Sequence, residues 1–453
     1  MQKVKGNMLV ASSAIIVQLV ILLICGLRPS LDVLFNLSLL LLILQVLTLT
    51  IILNRILNLP NIVLVLSYIL HMSAMYIEQL YDFQDYYMFV KNYNYDVIYN
   101  VVYRYMIYTA LFMLGSIIAT KTRFTVLQTK TNNSGFVDDI LLRRVGLIYI
   151  IIGFIPKIIL DFAKFRIRQS VGYVETYSMV SSTGLGILSY MFYFGVIYML
   201  ISFSTNQKKA NMLVVFSVFI ETLALLSGHR YNSIAFWTII VYIYINQYMN
   251  INISNMWKYI ALAMVCVYII VFYGQLRQDD GFGAYAFLSS SQGRFENIMF
   301  SFFAEMGNTA RSLIYSYIYV PNPVEYAHGL TYVKFFLKII PGIERFIQLK
   351  EIVYQLLFPD HWAIGGSWIG EIWYNFQYLG FICVFIMGLI LEKIESLFFS
   401  RKNIVLGVNI LFPLILFLRG NFEVFRYTIY FIVFQKLLIW GLRKIKKNKL
   451  VIV

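Results

Sequence analysis

Twelve stretches of this chain are apolar for long enough to form helices through a lipid bilayer, and they recur along most of its length. They lie near residues 8–27, 31–53, 58–80, 101–119, 144–160, 184–203, 210–227, 233–249, 257–273, 376–392, 404–418 and 424–440. A hydrocarbon core about 30 Å thick calls for roughly 20 such residues per helix. Composition agrees: 60% of residues are hydrophobic, 13% are charged and the mean hydropathy is +0.73. A soluble core cannot absorb that much apolar surface. The expected fold is therefore all-α, a polytopic membrane helical bundle of about twelve spans forming one integral membrane domain over 1–453. Spans one to nine fall in 1–273, a large loop in 274–375, and spans ten to twelve with a basic tail in 376–453. Lys3 and Lys5 precede the first run, which is long for a signal peptide and lacks a small-residue cleavage site, so it reads as the first span.

Basic residues set the orientation. With the N-terminus inside, the inner segments hold nineteen of them, from Lys3, Lys5 and Arg55 to Arg443, Lys444, Lys446, Lys447 and Lys449, against ten in the short outer segments. The positive-inside bias then places both termini in the cytoplasm and makes 274–375 extracytoplasmic. The net charge of +15 has the same origin, and nucleic acid is not an expected partner. Four outer cations, Lys157, Lys164, Arg166 and Arg168, form an expected basic loop that topology does not explain: either a span is miscounted there or the charges serve function. Cys25, Cys266 and Cys383 all lie in apolar runs and read as core residues.

The long loop is not disordered in composition. Tyr332, Phe335, Phe336, Ile339 and Ile340 recur at helical spacing with Lys334 and Lys338 on another face, and Pro341-Gly342 ends the pattern. Such segments lie on the outer interface or cap a cavity.

Cationic side chains at span ends on the outer side point to a polyanionic ligand, because charge near hydrocarbon is costly. Arg230 sits in Ser-Gly-His-Arg-Tyr-Asn and Arg277 in Gly-Gln-Leu-Arg-Gln-Asp-Asp, while Arg419 and Arg426 bracket Gly420-Asn421. Arg230, between Gly228 and Asn232-Ser233, would stand beside free N–H groups at a helix start, a setting suited to phosphate oxygens. Arg419 and Arg426 share a face if the helix continues, or confront one another if Gly420 breaks it. Arg168 and Arg311 are second-rank contacts. Anchoring to head groups is the alternative for each arginine. Glu221, inside a span, needs a partner, most simply an arginine on a neighbouring helix. Glu305, Arg311, His328, Asp360, His361 and Glu371 could move protons or orient substrate. Glu371 and His361 flank Gly365-Gly366-Ser367-Trp368-Ile369-Gly370, where the loop returns to the membrane, and are the candidate bases. Aromatic residues from Tyr81 to Tyr103 could stack sugars or form an interfacial belt. No motif calls for a cofactor or a metal.

At these residues the chain resembles the Wzy-type polymerases of bacterial repeat-unit polysaccharides, the O-antigen, common-antigen and capsule polymerases. The resemblance runs over about 144–440. It rests on Ser-Gly-His-Arg-Tyr-Asn, on Gln-Leu-Arg after the ninth span, on Gly-Gly-Ser-Trp-Ile-Gly-Glu-Ile-Trp-Tyr-Asn-Phe-Gln-Tyr-Leu-Gly, and on Phe-Leu-Arg-Gly-Asn-Phe-Glu-Val-Phe-Arg. Arg168 with Gly184 and Arg277 with Gly293 repeat a sixteen-residue arginine-to-glycine spacing of that family. The resemblance implies a GT-C-like glycosyltransferase of the cytoplasmic membrane with an extracytoplasmic active site. It would move a growing glycan from undecaprenyl diphosphate to a new lipid-linked repeat unit, alongside a flippase and a chain-length regulator. An O-antigen ligase shares these features and would use a loop histidine such as His361. A flippase or transporter would line a path with charges and carry inverted repeats. The orientation predicts opposite outcomes for reporter fusions: one at Lys130 should be active only in the cytoplasm and one at Asn322 only outside. The reverse pair would invert the topology.

Overall fold

The computed structural model describes residues 2–55, 57–81, 90–127, 139–171, 183–204, 206–226, 230–249, 268, 295–340, 366–399, 403–426 and 428–451. Arg277, His361 and, apart from Tyr268, the expected ninth span lie outside them. The described residues are helices and turns, without a strand. Among the described residues six helical segments are long and apolar enough to cross a membrane: Leu9–Gly26, Leu31–Leu53, Tyr95–Thr120, Asp139–Ile167, Leu185–Ser202 and Trp368–Ser396. A bent pair makes a seventh, and Ile404–Leu418 is a shorter apolar helix. The protein is thus a polytopic, all-helical membrane protein.

Contacts divide the chain into two compact units. The first comprises Met1–Asn132, Phe295–Ser396 and Phe417–Arg426; the second comprises Asn133–Arg294, Leu397–Leu416 and Tyr427–Val453.

In the first unit, α1 (Gln2–Gly26), α2 (Leu31–Leu53) and α5 (Tyr95–Leu127) pack together. The expected third span is broken: α3 (Leu59–His71) and α4 (Ser73–Tyr81) meet at 53°. Asn58 caps α3 by accepting the Asn61 N–H at 2.8 Å, and Pro60 occupies its first turn. At the break the Ser73 hydroxyl lies 2.9 Å from the Phe303 carbonyl of α10 (Phe295–Gly307). Gly307, at the end of α10, admits this contact, since a Cβ there would stand 2.6 Å from the Ala74 nitrogen. Lipid cannot satisfy loose backbone groups, so a break of this kind survives where protein covers it. α11 (Ala310–Tyr319) packs on α5 and on α13 (Trp368–Phe376), and α12 (Leu330–Lys338) on the 3₁₀ turn Phe422–Phe425. Residues 368–375, assigned from sequence to the loop, are therefore helical and begin a segment of spanning length that continues into α14 (Gly380–Phe399).

In the second unit, α6 (Asp139–Val171) and α7 (Thr183–Ser202) form the most extensive pairing. α8 (Gln207–Leu226) packs on α7 and α9 (Arg230–Tyr248), and α16 (Thr428–Val451) packs on α6; α15 (Ile404–Leu418) lies largely in this unit. The expected basic loop of Lys157, Lys164, Arg166 and Arg168 is instead part of the continuous helix α6. Hydropathy falls there while helical propensity does not, which is why an apolar run understates the helix.

Small residues set how close α6 and α7 come, as is usual between helices in lipid. A Cβ on Gly153 would stand 2.2 Å from the Phe192 nitrogen, and one on Gly195 would stand 2.7 Å from the Ile150 nitrogen. Gly153→Leu should force the pair apart and lower both the folded yield and the midpoint of thermal unfolding in detergent. An unchanged midpoint would mean that the pair is not packed this closely.

Candidate functional site

The polar residues of α13 fall in one row. Ser367, Glu371 and Asn375 are spaced by four and share a face, while Ile369 and Trp373 occupy the opposite one. Ser367 caps the helix, its hydroxyl accepting the Gly370 N–H at 3.2 Å. Behind it stands His71, fully buried at the end of α3. His71 Nδ1 lies 2.8 Å from the Ser67 carbonyl, which can only accept, so that nitrogen carries the proton. In the neutral ring Nε2 is then an acceptor, and Ser367 Oγ donates to it at 2.8 Å. The Trp368 indole N–H reaches Ser67 Oγ at 3.2 Å. His71 thus ties the break between α3 and α4 to the start of α13.

Glu371, only 2% exposed, accepts the main-chain N–H of Phe422 at 2.7 Å. Its other hydrogen-bonding neighbour is Thr331, which also accepts from Asn375 Nδ2 at 2.8 Å. Asn375 in turn accepts the Thr331 N–H at 3.3 Å and donates to the Glu371 carbonyl. The second anchor is steric: a Cβ on Gly366 would stand 2.7 Å from the Gly420 carbonyl, so the Arg419-Gly420 backbone lies directly on the start of α13.

These contacts settle how Arg419 and Arg426 are displayed. α15 stops at Leu418, the chain turns through Gly420 and the 3₁₀ segment Phe422–Phe425, and α16 begins at Thr428. The two arginines flank a loop clamped by Glu371, with Arg426 3.6 Å from Glu423 and both side chains about one-third exposed. Phe422 packs on Tyr332, Phe335 and Phe417 below. Arg311, half-buried on α11, belongs to the same unit. Arg230 opens α9 and Arg168 lies near the end of α6, both in the second unit. The sequence pointed to Glu371 and to the arginine loop separately, and the structure brings them together. It did not point to His71, Ser367, Thr331 or Asn375. The spacings of four in Ser67/His71 and in Ser367/Glu371/Asn375 were the available signal.

The second unit holds a buried ionic cluster. Lys157 Nζ lies 2.7 Å from Glu221, 2.9 Å from Asp161 and 3.2 Å from the Tyr193 hydroxyl. Ser233, near the start of α9, donates to the other Glu221 oxygen at 2.7 Å. The partner of Glu221 is therefore a lysine rather than the expected arginine. It is also a residue that sequence assigned to an outer basic loop. Among the described residues no group of three or more His, Cys, Asp or Glu side chains could hold a metal ion. Removing one member of a buried pair costs about 3–5 kcal/mol, since the remaining charge is stranded. Lys157→Met should lower the unfolding midpoint sharply, and Lys157→Met with Glu221→Leu should recover much of the loss. Equal midpoints for the two variants would show that the pair is not coupled.

The family model for the O-antigen polysaccharide polymerase Wzy matches residues 8–449, nearly the whole chain, and the chain belongs to that family. No curated protein and no solved structure matches it.

Proposed function

For this member of a family of glycosyltransferase-type polymerases that act on lipid-linked oligosaccharides in the membrane, we propose that the reaction takes place at the Arg419–Arg426 loop on the outer face of the cytoplasmic membrane. The growing glycan is transferred from undecaprenyl diphosphate to a new lipid-linked repeat unit. An acceptor hydroxyl oxygen bonds to the anomeric carbon, the bond from that carbon to the diphosphate breaks, and the hydroxyl proton passes to a base. Negative charge gathers on the departing diphosphate, and preorganised guanidinium groups stabilise it.

Arg419 and Arg426 are the proposed diphosphate ligands of the first unit, with Arg311 as a further contact. Arg230, Arg277 and Arg168 are proposed diphosphate ligands on sequence grounds. The observation that supports this reading most is the double anchoring of the arginine loop, by the Phe422 N–H on Glu371 and by Gly420 on Gly366. An anion site gains most when its donors are held in place before the ligand arrives. Glu371 or His361 is the proposed base. A carboxylate has about four lone-pair positions, so Glu371 retains capacity for an acceptor hydroxyl beside its two structural bonds. At 2% exposure it meets that hydroxyl only when the Thr331 side chain turns aside.

Arg419→Ala and Arg426→Ala should each reduce polymer formation about 10²–10³-fold, the usual loss for one transition-state donor, at normal protein levels. Cells would then carry single repeat units on the lipid carrier. Long chains stranded on the carrier would indicate a ligase, and single units held on the cytoplasmic side a flippase. Either result would overturn the proposal.

A further inference from the structure

The face of α13 turned away from Glu371 borders a small cavity lined by Val101, Arg104 and Tyr105 of α5, Leu313 and Tyr317 of α11, and Ile369 and Trp373. Among the described residues, Arg104 is the one charged member of that wall. Its guanidinium carbon lies 3.4 Å from the centre of the Trp373 ring and 4.8 Å from that of Tyr317. Its remaining electrostatic neighbours are tyrosines, Tyr108, Tyr326 and Tyr378, and among the described residues no carboxylate pairs with it and no acceptor takes its N–H groups.

Such an arrangement is incomplete. Arg104 lies in a segment of spanning length, where an unpaired cation is costly. Stacking on a ring contributes about 2 kcal/mol when desolvated and leaves the guanidinium N–H groups of this half-buried residue without an acceptor among the described residues. Trp373 repeats the deficit: it is 5% exposed, and its indole N–H has no hydrogen-bond partner among the described residues. Two donors without acceptors, one of them cationic, at one cavity call for an anionic oxygen ligand. The cavity suits one functional group rather than a sugar ring.

We propose that this cavity is an oxyanion site, in which the Arg104 guanidinium edge and the Trp373 indole N–H bind one carboxylate or phosphate group. It is separate from the Arg419–Arg426 loop, because the α13 residues that hold the loop and those that line the cavity occupy opposite faces of the helix. The group could come from an acidic sugar of the glycan or from a phosphorylated head group, and the two sources share the same recognition chemistry.

Thermal unfolding of the purified full-length protein in detergent, titrated at constant ionic strength, tests the assignment. Glucuronate and inorganic phosphate are the probes, with glucose and chloride as controls. The unfolding midpoint should rise with at least one oxyanion and with neither control. An Arg104-dependent response to glucuronate alone assigns an acidic sugar, and one to phosphate alone assigns a phosphate group. Arg104→Met should weaken the apparent affinity at least ~10-fold, as expected for lost charge-assisted hydrogen bonds. Trp373→Phe keeps the stacking face while removing the N–H, and should weaken it more modestly, so the proposal stays testable if Arg104→Met does not fold. The Arg419–Arg426 loop is itself a proposed phosphate site, so the titrations are repeated in Arg419→Ala, where the Arg104-dependent part of the response should remain. No response to either oxyanion, an undiminished response in both Arg104→Met and Trp373→Phe, or no effect of Arg104→Met in the Arg419→Ala background would each overturn the proposal.

Discussion

The carboxylate of Glu371, almost closed to water, and the main-chain N–H of Phe422 are separated by about fifty residues of sequence, yet they meet at 2.7 Å. That bond fixes where the arginine loop can be. A buried carboxylate and a partly buried N–H are each costly alone, so neither α13 nor the loop can shift without leaving the other unsatisfied. Close packing of Gly366 on Gly420 adds a steric limit to the electrostatic one. Ser367 and His71 carry the constraint further, from the cap of α13 to the break after α3. The loop bearing Arg419 and Arg426 is thus held through a chain of buried polar bonds, a rigid arrangement in an otherwise apolar unit.

The second unit meets the same problem in a different way. Lys157, Asp161, Glu221, Tyr193 and Ser233 satisfy one another inside helices that are otherwise apolar. Lysine and acid together remove most of the cost that either would impose alone. Such a cluster pins α6 against α8 and α9 at the end where Arg230 opens α9. It also accounts for Lys157, a cation for which the positive-inside bias gives no reason.

What was legible in the sequence follows from what hydropathy measures. Apolar runs located α1, α2 and α7 closely because those helices are uniformly apolar. The break at Gly420 and the return of the chain to the membrane at Trp368 were readable from turn residues and glycines. Three features were not. Hydropathy is continuous across Met72, so the bend between α3 and α4 left no trace. The helix of Asp161–Val171 is amphipathic and looked like a loop once the apolar run had ended. Arg104 counted only as an outer charge, because the rings that stack on it come from Tyr317 and Trp373, far along the chain. Pairings between distant residues are invisible to periodicity. They are where most of the site chemistry resides.

In vitro extension of a purified lipid-linked repeat unit tests the central claim most directly. Wild-type protein should build a ladder of products, with or without a chelator. The double variant Arg419→Ala/Arg426→Ala should slow ladder growth by at least ~10²-fold, the loss expected for a missing transition-state donor, while the protein keeps its unfolding midpoint. A ladder formed at the wild-type rate by that variant would contradict the account.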